Sequence, residues 1–286
     1  MININKGSKV GIVCCSNGQS KSNKGKIAVL EKILTGVGLI PVFSTFIYER
    51  DGVFSGSGME RAKALMDFYH DDEIKAIFDI SGGDLANEVL PYLDFDCIAK
   101  SSKYFWGYSD LTTILNAIYA QTGMPSVLYQ VRNLIYDHAD TQIAHFYSTL
   151  FDGTHDLYDF DYTFIQGHTL EGIVLGGNIR CLLKLAGTPF WPDMANKVLL
   201  LESFGGTVPQ MTTYLNQLKQ IGVFDKISGI ILGTFTQMEE QQCVPSIVEL
   251  VKHYTGEQLP IIKTNQIGHG SDSKAVIIGS QVYFKN

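Results

Sequence analysis

The sequence predicts an α/β protein whose first half is a doubly wound, mostly parallel sheet. Three observations carry this. Short apolar runs alternate with stretches of helical periodicity, as in strands covered on both faces by helices. Several of those runs stop at glycine- and serine-rich turns, where sites gather in parallel sheets. An acidic, aromatic segment without clean periodicity, 151–167, separates two such series. The corresponding division is residues 1–150, a crossover at 151–168, and residues 169–286.

The elements follow in order. Residues 9–15 (KVGIVCC) form an uninterrupted apolar run suited to a strand buried on both faces. A serine-rich loop and a helix over about 25–35 come next, and Gly36 and Gly38 end that helix before a strand at 39–43. A helix at 59–68 carries Arg61 and Lys63 on its expected solvent face. The strand at 74–80 stops at Ser81-Gly82-Gly83-Asp84, and a helix begins at 85–90. The aromatic run Tyr104-Phe105-Trp106 then meets Gly107-Tyr108-Ser109-Asp110, followed by a helix to about residue 122 and a strand at 126–129. In the second half, 172–175 is a strand running into Gly176-Gly177-Asn178 and a helix at 179–185. The strand 197–201 ends in Glu202, and a helix at 209–221, a strand at 227–232 and a helix at 239–254 follow. Short strands at 260–263, 275–278 and 282–284 finish the chain.

Composition excludes several functions. With 286 residues, 45% hydrophobic and 18% charged, the chain can build a large core. A net charge of -7 leaves no basic footprint for nucleic acid. No segment reaches the roughly 18 consecutive apolar residues of a membrane span, and the N-terminus lacks a signal-peptide pattern. Five cysteines, with Cys14 and Cys15 adjacent inside an apolar strand, suit a reducing cytoplasm better than a disulfide framework. The loop after the first strand lacks Gly-x-Gly-x-x-Gly, and neither His-Glu-x-x-His nor paired Cys-x-x-Cys occurs, so no cofactor or metal is expected.

Chemistry centres on Ser109. A serine at a sharp strand-to-helix turn has the geometry of a nucleophile elbow, although Leu111 replaces the usual last glycine. Ser109 or Asp110 serves equally well as an N-cap of the following helix. A serine nucleophile needs a base, usually histidine oriented by a carboxylate. Of the seven histidines, His269 stands apart in the glycine-flanked turn Gly268-His269-Gly270. Glu202 closes a buried strand, where a carboxylate needs a partner. A loop histidine and a turn-capping glutamate are the plainer readings. A pure ligand-binding protein of the same shape is the non-catalytic alternative.

Together these motifs resemble the serine LD-carboxypeptidases, a family that includes muramoyltetrapeptide carboxypeptidases and microcin C immunity peptidases. The resemblance rests on Gly107-Tyr108-Ser109-Asp110-Leu111-Thr112, Gly176-Gly177-Asn178, Leu200-Leu201-Glu202 and Gly268-His269-Gly270, in the family's chain order. It implies a smaller, β-rich C-terminal α/β domain and a Ser109–His269–Glu202 triad assembled across two domains. The implied oxyanion hole is the backbone N–H of Asp110 and that of Gly83. It further implies a cytoplasmic homodimer that needs no metal and acts on a small peptide or muropeptide. The expected reaction is release of a C-terminal D-alanine from a muropeptide tetrapeptide. Ser81-Gly82-Gly83-Asp84 departs from the Arg-Gly-Gly-Tyr-Gly usual in cell-wall-recycling members and is closer to the immunity branch, which hydrolyses peptidyl or aminoacyl adenylate analogues. Arg132 and Arg180 are candidate ligands for a substrate carboxylate, with surface or helix-capping roles the commoner use of such arginines.

Overall fold

The structure, a computed structural model, describes residues 4–286, and among them strands form two six-stranded sheets. The first holds β1 (Lys9–Val13), β2 (Ile40–Phe43), β3 (Ile74–Asp79), β4 (Tyr104–Gly107) and β5 (Ser126–Leu128), all parallel. The second holds β6 (Thr163–Gln166), β7 (Thr169–Asn178), β8 (Lys197–Ser203), β9 (Gly229–Phe235) and β10 (Ile261–Lys263). Here β7 to β10 are parallel, and β6 caps the β10 edge in the antiparallel sense. Near the end of the chain β11 (Val276–Ile278) returns to pair with β5 in the first sheet. β12 (Gln281–Lys285) then closes the β7 edge of the second.

Spatial order in the first sheet is β11-β5-β4-β3-β1-β2. It reverses between β1 and β3, and in such sheets ligands bind at the carboxyl ends of the strands near the reversal. Ser109 follows β4 at that same end.

The helix Thr112–Thr122 ties the two sheets together. Ile114, Leu115, Ala117 and Ile118 are buried, and so are the polar Thr112, Thr113 and Asn116. A helix buried all round lies between layers rather than on a surface. One apolar cluster runs through it from Ile77 and Leu128 of the first sheet to Val174, Leu200 and Ile231 of the second. Each such aliphatic side chain contributes about 1.5–3 kcal/mol on full burial. A separate cluster on the outer face of the first sheet is built around Val10, Ile12 and Trp106, with Phe78 edge-on to the indole at 5.3 Å.

Several expected boundaries move. The 151–168 stretch contains β6, and β11 belongs to the first sheet, so the chain crosses between the sheets more than once. The helix expected at 239–254 is two, Thr236–Glu240 and Ile247–Thr255, the second started by Ser246 and Glu249 in a reciprocal capping box. The second half carries the helices Ile179–Leu183 and Val208–Gln220 close to where they were expected. The stretch at 85–90 is a 3₁₀ helix, Ala86–Tyr92.

Arg61 was expected on the wet face of its helix, and the structure reverses that. Its side chain is fully buried and donates to the carbonyls of Cys15, Ser16 at 3.3 Å, Leu85 at 3.2 Å and Gly56 at 3.2 Å, with Glu88 as counter-ion. A planar fork of five donors can satisfy several loop carbonyls at once, which offsets the cost of burying its charge.

Candidate active site

β4 delivers the chain into the elbow, and Ser109 takes a left-handed conformation at φ 55°. This is costly for a residue with a Cβ and recurs at functional turns. A single 3₁₀ turn, Ser109–Leu111, passes directly into the helix Thr112–Thr122. The leucine in place of the last elbow glycine has a packing reason. Leu111 is fully buried, and a Cβ on Gly107 would lie 2.6 Å from the Leu111 Cβ. The room is made two residues before the serine instead of two after it.

The other two sequence-picked side chains arrive from the second sheet. Glu202 lies within β8 and is fully buried. His269 sits on the loop between β10 and β11. That loop is pinned by the Thr234 N–H to the Ile267 carbonyl at 2.8 Å and by Ser273 Oγ to the Gly268 carbonyl at 2.5 Å. His269 Nε2 is 3.1 Å from Ser109 Oγ, and His269 Nδ1 is 2.7 Å from Glu202 Oε2. With Nδ1–H donating to the carboxylate, Nε2 is left as an acceptor for the serine proton. This line can activate a hydroxyl and carry its proton.

Tyr108 joins the line. Its hydroxyl donates to Glu202 Oε2 at 3.2 Å and lies 3.2 Å from His269 Nδ1, with the two rings edge-on at 4.8 Å. Burial, and then the adjacent Glu202 carboxylate, push the Tyr108 phenol well above its ordinary range, so it remains an O–H donor. Glu202 Oε1 is buried without a hydrogen-bond partner, which concentrates every contact of the carboxylate on the oxygen facing His269. The exposed Phe204 ring lies 5.0 Å from the imidazole on the open side.

The glycine turn after β3 stands against the elbow. Gly83 has φ +123°, and a Cβ there would lie 2.2 Å from Asn17 Cγ, so the position takes only glycine. Asn17 in turn accepts from the Asp84 N–H at 3.1 Å, and its own N–H reaches the Gly82 carbonyl at 3.2 Å.

The Asp110 side chain holds this turn to the elbow and to the second lobe. Its fully buried carboxylate accepts from Ser16 Oγ at 2.7 Å and the Ala86 N–H at 2.9 Å on one oxygen, and from Lys184 Nζ at 2.5 Å on the other. Below it, buried Asp79 accepts from the Cys15 N–H at 2.7 Å and from the N–H of Ser81 at 2.7 Å. Across the lobes, Asn116 exchanges hydrogen bonds with Gly176 at 2.8 and 2.9 Å, and Thr112 Oγ1 accepts from the Asn178 N–H at 3.0 Å. The Gly176-Gly177-Asn178 motif is therefore the dock between β7 and the elbow helix.

Two cavities meet at Ser109 and His269. A smaller one of about 180 Å³ is lined by Gly82, Gln130, Arg132, Asn133 and Tyr136, and a larger one of about 470 Å³ by Gly83, Asp84, Asn178, Arg180, Phe204 and Tyr214. The two candidate arginines thus fall on opposite sides of the serine. Arg180 is committed to Asp84 and donates to the Gly83 carbonyl at 3.2 Å. Cys14 and Cys15 lie buried, their thiols pushed up by desolvation, as inert packing. Among the described residues no group of three or more His, Cys, Asp or Glu side chains could hold a metal ion.

Sequence reasoning passed over Tyr108, the Asp110 carboxylate, Lys184 and Arg61. Tyr108 and Asp110 flank the serine in the motif and were open to suspicion there. Arg61 reads as an ordinary helix-surface cation and only its burial marks it, while Lys184 is marked only by its ion pair with buried Asp110.

A two-lobed α/β fold presenting a strained serine at a strand end, backed by histidine and a buried glutamate, is the architecture of a serine hydrolase. The chain matches the LD-carboxypeptidase N-terminal domain over residues 10–129 and the LD-carboxypeptidase C-terminal domain over residues 171–284. It is 30% identical to the probable murein peptide carboxypeptidase of Bacillus subtilis, over 97% of this chain and 89% of that protein. It is 28% identical to the microcin C7 self-immunity protein MccF of Escherichia coli, over 75% of this chain and 72% of that one. Among solved structures it superposes on an MccF-like protein from Bacillus anthracis with a TM-score of 0.86 at 25% identity, covering 99% of this chain and 95% of that one. The chain belongs to the LD-carboxypeptidase family, and its class is that of a serine carboxypeptidase.

Proposed function

We propose that this protein removes the C-terminal D-alanine from muropeptide tetrapeptides, cutting an L-to-D amide bond during peptidoglycan recycling. The observation that carries the reading is the continuous line from Ser109 through His269 to Glu202, at 3.1 and 2.7 Å. Ser109 Oγ attacks the scissile carbonyl while His269 Nε2 takes its proton. The C–N bond breaks as His269 returns that proton to the departing amine, leaving an ester on Ser109. Water, deprotonated by the same imidazole, then releases the shortened peptide. Glu202, steadied by Tyr108, holds the imidazole and stabilises its charged form. The N–H groups of Gly83 and Asp110 receive the oxyanion, a contribution of about 10²–10³ in turnover per donor.

A second reading, amide hydrolysis of a peptidyl or aminoacyl adenylate analogue, is supported by the exposed Phe204 ring beside His269 and by the likeness to the microcin self-immunity protein. A non-catalytic binder has no use for a strained serine within hydrogen-bond reach of a carboxylate-backed histidine. A cytoplasmic setting fits five free cysteines, and assembly as a homodimer follows from the family resemblance.

The test is a paired assay read by mass spectrometry with EDTA present. One arm holds a tetrapeptide ending in D-alanine, the other an aminoacyl sulfamoyl adenosine. Release of D-alanine in the first arm alone supports recycling, and cleavage in the second arm alone moves the assignment to detoxification. No cleavage in either refutes both readings.

A further inference from the structure

Ser109 stands on the border between two cavities of unequal size, so a bond positioned over it has one side in each. The smaller, about 180 Å³, offers room for about six waters. That is less than half the room of the other cavity. The larger, about 470 Å³, is open and carries both charges of the Asp84–Arg180 pair, as suits an extended peptide.

The arginines differ in how far they are already engaged. Arg180 is neutralised by Asp84 and anchored on the glycine turn. Arg132, on the rim of the smaller cavity, makes no ion pair among the described residues. Its Nη1 reaches Gln19 Oε1 at a long 3.5 Å, and its buried Nε has no hydrogen-bond partner at all. A buried donor on a permanently charged group without a partner is costly, and a site that regularly receives an anion relieves that cost.

We infer that the smaller cavity holds the leaving residue and that Arg132 grips its free α-carboxylate, so Arg132 selects for a chain terminus. This rests on the carboxypeptidase reading above. It separates the two arginines, which sequence alone left equivalent, and it places the acyl portion of the substrate on the Asp84–Arg180 side. The departing amine then lies beside His269, and the carboxylate lies on the far side of it, over Arg132.

The test compares a tetrapeptide ending in D-alanine with the same peptide ending in D-alaninamide, on wild type and on Arg132→Met, Arg132→Lys and Arg180→Met. Wild type should favour the free acid by about 10- to 100-fold in kcat/KM, the worth of a charge-assisted hydrogen bond pair. Arg132→Met should collapse that preference by lowering activity on the acid more than on the amide. Arg132→Lys should restore part of it. Arg180→Met should leave the ratio where it was, whatever it does to overall rate. An acid-to-amide ratio unchanged in Arg132→Met while wild type still turns over refutes the assignment and leaves the carboxypeptidase reading standing. Collapse of the ratio in Arg180→Met instead assigns the carboxylate to the larger cavity and overturns it equally. No turnover of either peptide by folded wild type removes the carboxypeptidase reading and this inference with it.

Discussion

Replacing Lys184 with methionine tests the tie between the two lobes. Lys184 Nζ is 2.5 Å from Asp110 Oδ1, and the two side chains are 17% and 0% exposed. Removing one partner of a buried pair typically costs about 3–5 kcal/mol, because the remaining charge is stranded. Asp110 would keep the Ser16 hydroxyl and the Ala86 N–H on its other oxygen, so the lower end, about 3 kcal/mol, is expected. For a chain of 286 residues that is a fall in Tm of roughly 5 °C, readable by calorimetry or by circular dichroism. The double variant Asp110→Asn with Lys184→Met removes the stranded charge and should recover at least about 1 kcal/mol relative to the sum of the single changes. Because Asp110 also holds the elbow against the chain entering Ala86, turnover in Lys184→Met should fall by about tenfold or more from small misplacement of the glycine turn. A melting temperature unchanged within error, together with additive single and double variants, would refute the reasoning. The pair would then be an ordinary screened surface contact.

Ser109→Gly should abolish turnover while raising stability by up to about 1 kcal/mol, since glycine takes the left-handed conformation without strain. A loss of stability there would show that the serine hydroxyl, not the conformation, dominates the site. Tyr108→Phe should keep the fold and lower kcat about tenfold, the loss of one hydrogen bond to the Glu202–His269 pair. Wild-type rates in that variant would reduce Tyr108 to packing. Asp79 supplies a pH prediction. Burial raises its carboxyl above the ordinary 3.8, against opposing hydrogen bonds from Ser81 and Cys15. A folded pKa above the unfolded one gives a contribution that is complete below about 3.8 and is lost as pH rises through the raised value. Denaturant titrations should therefore show the wild type gaining on Asp79→Asn as pH falls through that window. A difference that stays flat across it would contradict the assignment.

The order of strands and helices, the elbow at Ser109 and the special character of His269 and Glu202 were legible in the sequence. Each leaves a local trace. Buried parallel strands are continuous apolar runs, an elbow is a strand broken at Gly-Tyr-Ser-Asp, and a catalytic-type histidine is flanked by glycines. What the sequence could not decide is which distant groups meet. Arg61 has the spacing of an exposed helix cation, and its burial depends on carbonyls from two loops far away along the chain, at Cys15 and Leu85. The return of β11 to the first sheet depends on which edge was left open after β5, a matter of packing and not of periodicity. Arg132 and Arg180 are chemically alike as letters, and the difference between them is that folding places Asp84 beside one and leaves the other facing a small cavity. Local sequence sets propensity and turn chemistry over a few residues. Charge pairing and desolvation act between residues that only the tertiary fold makes neighbours, and in this protein they decide what surrounds the serine.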